Sequence, residues 1–359
     1  MSSNEKIAVV LFQLGGPDSL ESVEPFLYKL FCDPDIINFP GAFLARRPLA
    51  KLISSRRKKI ASKHYEEIGG KSPILELTNA QAVALEKELN KTISAKVFVA
   101  MRYWKPFTFE AIDEMKKENF SKIILLPLYP QYSKATTFSS FKEWRKVSKR
   151  KKYTSIPTAS VCCYHNHPKY VEAIVENINI AVKKFSHLDA SEFDLVFSAH
   201  GVPVSLIKEG DPYQRHIEET VKLVLQKGKW KSPNTLCYQS KVGPAQWLKP
   251  SLNGTIRQLA ERGRKNLLVI PVAFVTEHIE TLHEINIEAR EEAEHLGIKQ
   301  FEMMPALNDS PKFIECLADL VLKKVNNEPI ELAMCSSLFE KNSRGKEPLL
   351  CPLWNETKR

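Results

Sequence analysis

Three glutamates share one helical spacing in the segment FVTEHIETLHEINIEAREEAEHLG, residues 274–297. Glu280, Glu284 and Glu288 are four residues apart, so on an α-helix they drift slowly around one face. Like charges at this spacing repel by about 0.2–0.5 kcal/mol per pair, which an ordinary solvated face tolerates. The alternative is a column of carboxylates that carries protons or binds hard cations, and a π-bulge would align such a column more closely.

A histidine stands at a comparable position elsewhere in the chain. His200 follows the apolar segment LVFSA and precedes Gly201, which suits an imidazole at the mouth of a cleft. Such an imidazole takes up a proton near neutral pH or binds a metal, whereas a single core histidine bonded to backbone is the alternative. Together, His200 and the glutamates predict a site for a cation that is handed over and for protons that are taken away.

Four apolar segments predict the strands that position these groups: 7–14, 123–130, 195–199 and 267–274. Helical patterns between them, such as 77–90 and 170–185, indicate an α/β fold. The segments LGGP and AHGVP, and then IILLP and LLVIP, form a faint internal repeat. We therefore predict two similar Rossmann-like halves, each a parallel sheet flanked by helices, with the active-site cleft between them. The expected boundaries are 1–160 and 161–325, the last helix returning to the first half, with a tail at 326–359 of no assigned function.

The charge of the chain limits its partners. Lys and Arg number 52 against 42 Asp and Glu, for a net charge of +10, which favours anionic partners. No nucleic-acid-binding signature is present, and no segment is apolar enough to span a membrane. The N-terminal segment lacks the pattern of a secretion signal, so we expect a cytoplasmic protein. The sequence leaves the oligomeric state open.

Several segments combine cations, hydroxyls and aromatic rings, a composition suited to a flat and partly anionic ligand. These are RRKKIASKHYEEIGGKSPI (56–74), MRYWKPF (101–107), LYPQYSKATTFSSF (128–141) and YQSKVGPAQWL (238–248). The residues that carry this prediction are Arg56, Arg57, Tyr65, Ser72, Arg102, Tyr103, Tyr132, Lys241 and Trp247.

Eight ordered motifs between about residues 7 and 325 resemble the ferrochelatase family, the enzymes that insert ferrous iron into a porphyrin. They are QLGGPDSLESVEPFL, IGGKSPI, MRYWKP, LLPLYPQYS, FSAHGVP, QSKVGPAQWL, ERGRKNLLVIPVAFVTEHIETLHE and PALNDSP. The resemblance implies a chelatase-like fold with a porphyrin cleft between its halves. It also implies that protoporphyrin IX and ferrous iron are the substrates and that two protons are released.

The resemblance assigns roles to individual residues. It places the catalytic and metal-binding groups on His200 and Glu280, and a proton or metal path on Glu284, Glu288 and His278. It places Arg57, Tyr65 and Ser72 at the porphyrin propionates, Leu14 against the macrocycle, and Arg102, Tyr103 and Trp247 along the pocket. The alternatives left open are coproporphyrin III as the porphyrin, another tetrapyrrole metal chelatase, and a porphyrin or haem carrier without chemistry.

The sequence departs from the family pattern at two places. Lys134 stands where many members have a cysteine that binds an iron–sulfur cluster, and the tail offers only Cys335 and Cys351, which cannot complete four thiolates. We therefore expect a bacterial type without a cluster and with no tightly bound cofactor. Phe138 replaces a usual glycine, which predicts an altered loop or pocket floor.

Residues 39–60 predict contact with a membrane surface. Phe39, Phe43, Leu44, Leu49, Leu52 and Ile53 alternate with Arg46, Arg47, Lys51, Arg56, Arg57, Lys58 and Lys59. Such a segment suits a helix lying on anionic lipid, and a helix packed on the core is the alternative. We expect peripheral attachment to the inner face of the cytoplasmic membrane.

Overall fold

The computed structural model describes residues 5–36, 42–241 and 245–328, without the side chains of 42–44. The described residues form two four-stranded sheets whose neighbouring strands all run parallel. The first sheet contains β1 (Lys6–Gln13), β2 (Ser94–Met101), β3 (Lys122–Pro127) and β4 (Thr158–Ser160). The second contains β5 (Asp194–His200), β6 (Asn234–Gln239), β7 (Asn266–Pro271) and β8 (Gln300–Met303).

The two sheets have the same topology. Their strand orders are β2-β1-β3-β4 and β6-β5-β7-β8, so the first strand of each half lies inside its sheet. Val9 of β1 is paired with Val97 and Ile124, and Val196 of β5 with Thr235 and Val269. Strands covered on both faces consist of continuous apolar residues, which explains the sequence of β1, β3, β5 and β7.

Helices cover both sheets. In the first half they are α1 (Val23–Phe31), α2 (Ala42–Glu67), α3 (Ile74–Leu89), α4 (Thr108–Met115) and α5 (Ser139–Arg150). The remaining ones are α6 (Pro168–Val182), α7 (Val204–Lys208), α8 (Tyr213–Gly228), α9 (Leu252–Glu261), α10 (Arg290–His295) and α11 (Pro311–Val325). Short 3₁₀ segments lie at Lys183–Phe185 and Ala190–Glu192, and two π-helices at Lys134–Phe138 and Glu280–Ala289.

One apolar core joins the two halves. It contains Val9 and Leu11 of β1, Phe197 of β5 and Ile270 of β7. Helix α11 contributes Leu317 to the same core and packs on α3 and β3 of the first half as well as on α6. Helix α11, the last of the described helices, therefore packs on both halves and fixes how their strand ends face each other.

The predicted α/β fold with two similar parallel sheets is confirmed, and all four predicted strands are present within about one to three residues. The sequence did not reveal β4, β6 and β8. These are short or, like β6 with the sequence NTLCYQ, carry polar residues that break the apolar run.

Candidate active site

His200 ends one strand of the second sheet, and Glu280 lies on the π-helix that follows the neighbouring strand. His200 is the last residue of β5, and Glu280 begins the π-helix that follows β7. The imidazole Nδ1 lies 2.5 Å from the Gly201 carbonyl, to which it donates, and Nε2 lies 3.5 Å from Oε1 of Glu280. Because Nδ1 is held by backbone, Nε2 is the atom that exchanges a proton or binds a metal.

The charges of the glutamates control how this histidine titrates. Burial favours the neutral imidazole, but the carboxylates of Glu280 and then Glu284 outweigh it and raise the pKa of His200 to about 9. Burial likewise raises the pKa of Glu280, but the opposing charge of His200 keeps that pKa well below its ordinary value. The two side chains therefore share one proton near neutral pH as an imidazolium–carboxylate pair.

The glutamate column runs outward from this pair along the π-helix. Glu284 accepts a hydrogen bond from the Ser240 hydroxyl and another from the Gln239 amide at 3.3 Å. Burial, together with the charge of Glu280, raises the pKa of Glu284. The third member, Glu288, is 48% exposed, against 19% for Glu280. The column thus leads from a half-buried pair to solvent, and the wider helical turn considered from the sequence is present.

His278 holds the second oxygen of Glu280. Its Nε2 lies 3.3 Å from Oε2 of Glu280, and its Nδ1 lies 3.1 Å from the Thr276 carbonyl. The ring is buried, at 7% exposure. His278 therefore contacts the carboxylate oxygen that His200 does not, a positioning contact within the predicted path.

Three of the predicted porphyrin residues lie beside the pair. Leu14 and Tyr65 share an apolar cluster with Ile279, the residue before Glu280. Burial, and then the charge of Glu280, raises the pKa of Tyr65, so its ring lies within electrostatic reach of the carboxylate. The Trp247 ring centre lies 6.3 Å from that of His200. These side chains give the pair apolar walls drawn from both halves.

The other residues of the predicted propionate group lie around the end of β1 and along α2. Ser72 is buried beside Gly16, and its amide donates to the Pro17 carbonyl at 2.8 Å. Arg56 and Arg57 are exposed on α2, with the Arg57 guanidinium 5.8 Å from the Phe31 ring centre. The cations therefore remain accessible to an anionic ligand.

Arg102 and Tyr103 face a different cavity. Arg102 donates to Asp33 at 2.6 Å and to Ser139 at 2.8 Å, while the buried Tyr103 hydroxyl donates to Asp33 at 2.6 Å. Both residues line a cavity of about 450 Å³ whose lining runs from Tyr28 to Lys146 and includes neither His200 nor Glu280.

Tyr132 and Lys241 have contrasting surroundings. Tyr132 is buried, and its amide donates to Nδ1 of His216 at 3.3 Å. Lys241 is exposed and precedes 242–244, which lie outside the described residues.

Several polar residues that support the site were missed from the sequence. The Tyr213 hydroxyl donates to the His200 carbonyl at 3.0 Å, and Gln239 also donates to the Glu280 carbonyl at 3.0 Å. Gln13 reaches across the cleft to the Thr276 hydroxyl at 3.4 Å, and that hydroxyl donates to Gln81 at 3.1 Å. Gln13 and Gln239 are the last residues of β1 and β6. Their position at a strand end is the sequence signal that could have identified them as site residues.

The two departures from the family pattern lie in the shorter π-helix. Lys134 Nζ lies 3.3 Å from Oε2 of Glu209, and the ammonium of Lys142 lies 5.8 Å from the Phe138 ring centre. Cys335 and Cys351 fall outside the described residues.

The predicted membrane segment coincides with the start of α2. Phe39 lies outside the described residues, and the side chains of Phe43 and Leu44 are likewise not described. Further along, Leu52 is 47% exposed, while Lys51 donates to Glu24 at 2.7 Å. Among the described helices, none is both long enough and apolar enough to cross a bilayer.

Comparison with known proteins gives one consistent family. The pattern that defines the ferrochelatases matches residues 6–325. The chain is 49% identical over 321 residues to the ferrochelatase of Geobacter metallireducens, covering 89% of this chain and 99% of that one. It is 46% identical over 329 residues to the ferrochelatase of Trichodesmium erythraeum, covering 89% and 83%.

Solved structures of low identity share the fold. SirB from Bacillus subtilis with Fe3+ superposes with a TM-score of 0.53 at 12% identity, covering 90% of this chain and 96% of SirB. DR2241 from Deinococcus radiodurans, described as similar to chelatases, has a TM-score of 0.52 at 10% identity, covering 88% and 55%. These two likenesses support the chelatase-like architecture only.

Proposed function

Because this chain belongs to the ferrochelatase family, we propose that His200 and Glu280 accept the pyrrole protons as ferrous iron enters protoporphyrin IX. The chain is thus an enzyme that inserts iron into a porphyrin, and the proposal concerns which residues act and on which porphyrin. The observation that carries it is the 3.5 Å separation of His200 Nε2 from Glu280 Oε1 at adjoining strand ends. A base must stand within hydrogen-bond reach of the proton it removes, and the pair lies beside Leu14, Tyr65 and Trp247, the walls against which a porphyrin would bind.

The pair must lose its own proton before it can take one from the ring. Metallation exchanges two pyrrole N–H protons for one dication, so two protons leave as iron binds four nitrogens. An approaching dication displaces the proton from His200, because like charges repel. Glu284, whose pKa is raised by burial and by Glu280, takes up a proton more readily than an ordinary carboxylate and passes it outward. Glu288 then exchanges that proton with solvent.

The porphyrin is held by walls from both halves. Leu14, Tyr65 and Trp247 would contact the macrocycle, and Arg56 and Arg57 would bind its propionates. A porphyrin accepts iron when its nitrogens tilt out of plane, and the energy for that distortion comes from contacts away from the reacting nitrogens.

Steady-state assays distinguish protoporphyrin IX from coproporphyrin III as the substrate. Purified protein, ferrous iron and either protoporphyrin IX or coproporphyrin III are mixed without oxygen, and the loss of the free-porphyrin spectrum is recorded. We expect the larger kcat/KM with protoporphyrin IX. A larger value with coproporphyrin III would overturn the substrate assignment, and binding of both without metallation would indicate a carrier.

We also propose that the enzyme works without an iron–sulfur cluster. Lys134 occupies the position of the cluster cysteine and pairs with Glu209 at 3.3 Å, so an ammonium stands where a thiolate is required. Purified protein should contain no stoichiometric sulfide. Stoichiometric sulfide that is lost on Cys335→Ser or Cys351→Ser would contradict this proposal.

We propose that the enzyme is cytoplasmic and rests on anionic lipid, and that this contact serves substrate delivery. One face of α2 exposes Leu52 and Ile60, at 47% and 63%, beside the exposed cations Lys59 and Lys63. These positions recur at the helical period, so apolar and cationic groups share one face. Each cation contributes about 1 kcal/mol near an anionic surface, and salt screens it.

Sedimentation with vesicles tests this face. Binding should require anionic lipid, weaken with salt, and fall in a Leu52→Gln/Lys59→Gln protein. Lys58→Gln is the matched control, because Lys58 Nζ already lies 3.5 Å from Glu24. Equal sedimentation with neutral vesicles, or equal loss in the control, would rule out this face.

A further inference from the structure

One side of the β2 backbone faces away from the rest of the first sheet, because β2 is an edge strand paired only with β1. The Arg102 amide, just past the end of β2, donates to the Gln13 carbonyl of β1. Because the amides of a strand alternate in direction, the even-numbered amides of β2 face β1 and the odd-numbered ones face outward. Outward backbone groups on an edge strand can pair with another chain unless something covers them.

Side chains of α3 and of the turn that follows it cover the first part of this edge. Asn90 accepts from the Ala95 amide at 3.2 Å and donates to the Ala95 carbonyl at 2.9 Å. The Glu86 carboxylate accepts from the Val97 amide at 2.8 Å. These contacts satisfy backbone groups that would otherwise attract a foreign strand.

The backbone between Val97 and the end of β2 is open. The Met101 amide donates to the Pro106 carbonyl at 2.7 Å, which closes the end of the strand. In the part of the chain that the structure describes, the Val99 amide and the Val97 and Val99 carbonyls have no partner on their outer side. One added strand, parallel or antiparallel to β2, can satisfy these groups with three hydrogen bonds.

A cavity of about 350 Å³ lies over this open stretch, between α3 and α4, and we call it the β2 groove. The two helices cover opposite faces of the sheet, since they belong to separate cores that contain alternate residues of β1. Val97 and Val99 lie at the floor of the groove. Its α3 wall presents Val83, which is 70% exposed, and its α4 wall presents Glu110 and Glu114.

The carboxylates of the β2 groove are notable in a chain of net charge +10. Glu110 and Glu114 are four residues apart and share one face of α4, and Glu86 adds a third carboxylate from the α3 wall. The one ion pair there joins Glu114 to Lys117, with side chains 60% and 67% exposed, so it contributes little and can rearrange. The two walls therefore complement a strand that carries cations toward α4 and apolar side chains toward Val83.

We propose that the β2 groove binds one extended segment of a partner protein in which cationic and apolar residues alternate. The segment adds to the first sheet as a further strand, its amides donating to the Val97 and Val99 carbonyls and its carbonyl accepting from the Val99 amide. Alternate side chains of a strand face opposite ways, so its cations meet the α4 carboxylates while its apolar side chains cover Val83. The lining of the groove includes no residue of the proton-accepting pair, so binding there requires neither porphyrin nor iron.

Hydrogen exchange at the Val99 amide tests this site directly. A short synthetic peptide in which Lys and Val alternate is titrated into the full-length ¹⁵N-labelled protein, and amide exchange is followed by NMR. We expect the peptide to slow exchange at Val99, whereas Ala95, whose amide is already bonded to Asn90, should change little. The same peptide with every backbone nitrogen methylated keeps its charges and should not bind, because it lacks the amide donors.

Two double variants test the charges of the α4 wall. Glu110→Gln/Glu114→Gln should weaken peptide binding by roughly 3–30-fold and make it less sensitive to salt. Glutamine at position 110 keeps an acceptor for the Phe107 amide, so the start of α4 should stay intact. Glu76→Gln/Glu88→Gln is the matched control, because it makes the same charge change on α3 at residues that do not line the groove.

Three results would overturn the proposal: unchanged exchange at Val99 with the peptide, equal binding of the methylated peptide, or equal weakening in the two double variants. Slow exchange at Val99 in the peptide-free protein would show another occupant. A second copy of the chain is indicated if that protection grows with protein concentration, and residues 329–359 are indicated if it disappears when they are removed. In either case the assignment of a partner protein is wrong.

Discussion

The two halves share one sheet topology but end their strands in different chemistry. β1 leads into Leu14 and a pair of glycines, whereas β5 ends in His200. After the third strand of each half, β3 and β7, the chain enters a π-helix in both cases. The first π-helix spans five residues and begins with Lys134, and the second spans ten and begins with Glu280.

The two halves use the same sheet topology to hold different kinds of side chain. In the first half, close approach of backbone and apolar side chains forms a wall, and the buried charge of Asp33 is consumed by Arg102 and Tyr103. In the second half, the carboxylates follow one another along a helix, and Glu280 contacts two histidines, which are groups that can exchange protons. The first half is therefore expected to bind and the second to react.

The largest expected effect comes from replacing the first residue of one π-helix and comparing it with the same replacement in the other. Glu280→Gln removes a proton acceptor and the charge beside His200, so iron insertion should fall by roughly 10²–10⁴-fold. Lys134→Gln is the matched change in the first half and breaks only a partly exposed ion pair worth about 0–1 kcal/mol. Its turnover should remain within about twofold. Similar losses in the two variants would erase the distinction between the halves.

A buried carboxylate in the first half should matter for stability instead. Asp33→Ala leaves the Arg102 guanidinium without its buried partner, so the free energy of unfolding should fall by about 3–5 kcal/mol in urea titrations. Asp113→Ala, which removes the surface pair with Lys151, should cost less than about 1 kcal/mol. An equally small cost at Asp33 would show that its contacts contribute little.

Close packing at the end of β1 predicts a moderate effect. A Cβ at position 16 would lie 2.5 Å from the Ser72 side chain, so Gly16→Ala should destabilise the fold by about 1–3 kcal/mol. Displacement of Ser72 should also raise the KM for porphyrin. The double variant Gly16→Ala/Ser72→Gly removes the clash and should regain the lost stability. No recovery in the double variant would place the cause elsewhere.

The smallest effect is a pH dependence of stability that resides in the second half. The pKa of His200 is raised from 6.5 to about 9, so its contribution is complete below pH 6.5 and is lost as pH rises through 9. After allowance for the one-third exposure of the side chain, the loss should be about 1–2 kcal/mol. Denaturant titrations at both ends of this range should show a smaller loss in Glu280→Gln. An equal loss in Glu280→Gln would show that Glu280 does not raise the pKa of His200.

The sequence predicted the parts of this molecule that rest on strong local patterns. The apolar strands 7–14, 123–130, 195–199 and 267–274 follow from burial on both faces, and the glutamate spacing alone indicated a column of carboxylates. Contacts between segments far apart in the chain could not be read in this way. The bridge from Gln13 to Thr276 and the stacking of His64 on His283 depend on how the two halves pack. The pairing of Arg102 with Asp33 depends on how distant segments meet within the first half. A single sequence has no periodicity that reports such contacts.

Single-turnover metallation in His200→Ala tests the central claim most directly. Porphyrin is bound first, its affinity is checked by fluorescence, and ferrous iron is then added. We expect normal porphyrin affinity, a rate lower by roughly 10²–10⁴-fold, and partial recovery when free imidazole replaces the missing base. A folded variant that binds porphyrin and inserts iron at the unaltered rate would contradict the assignment of His200 and Glu280 as the proton acceptors.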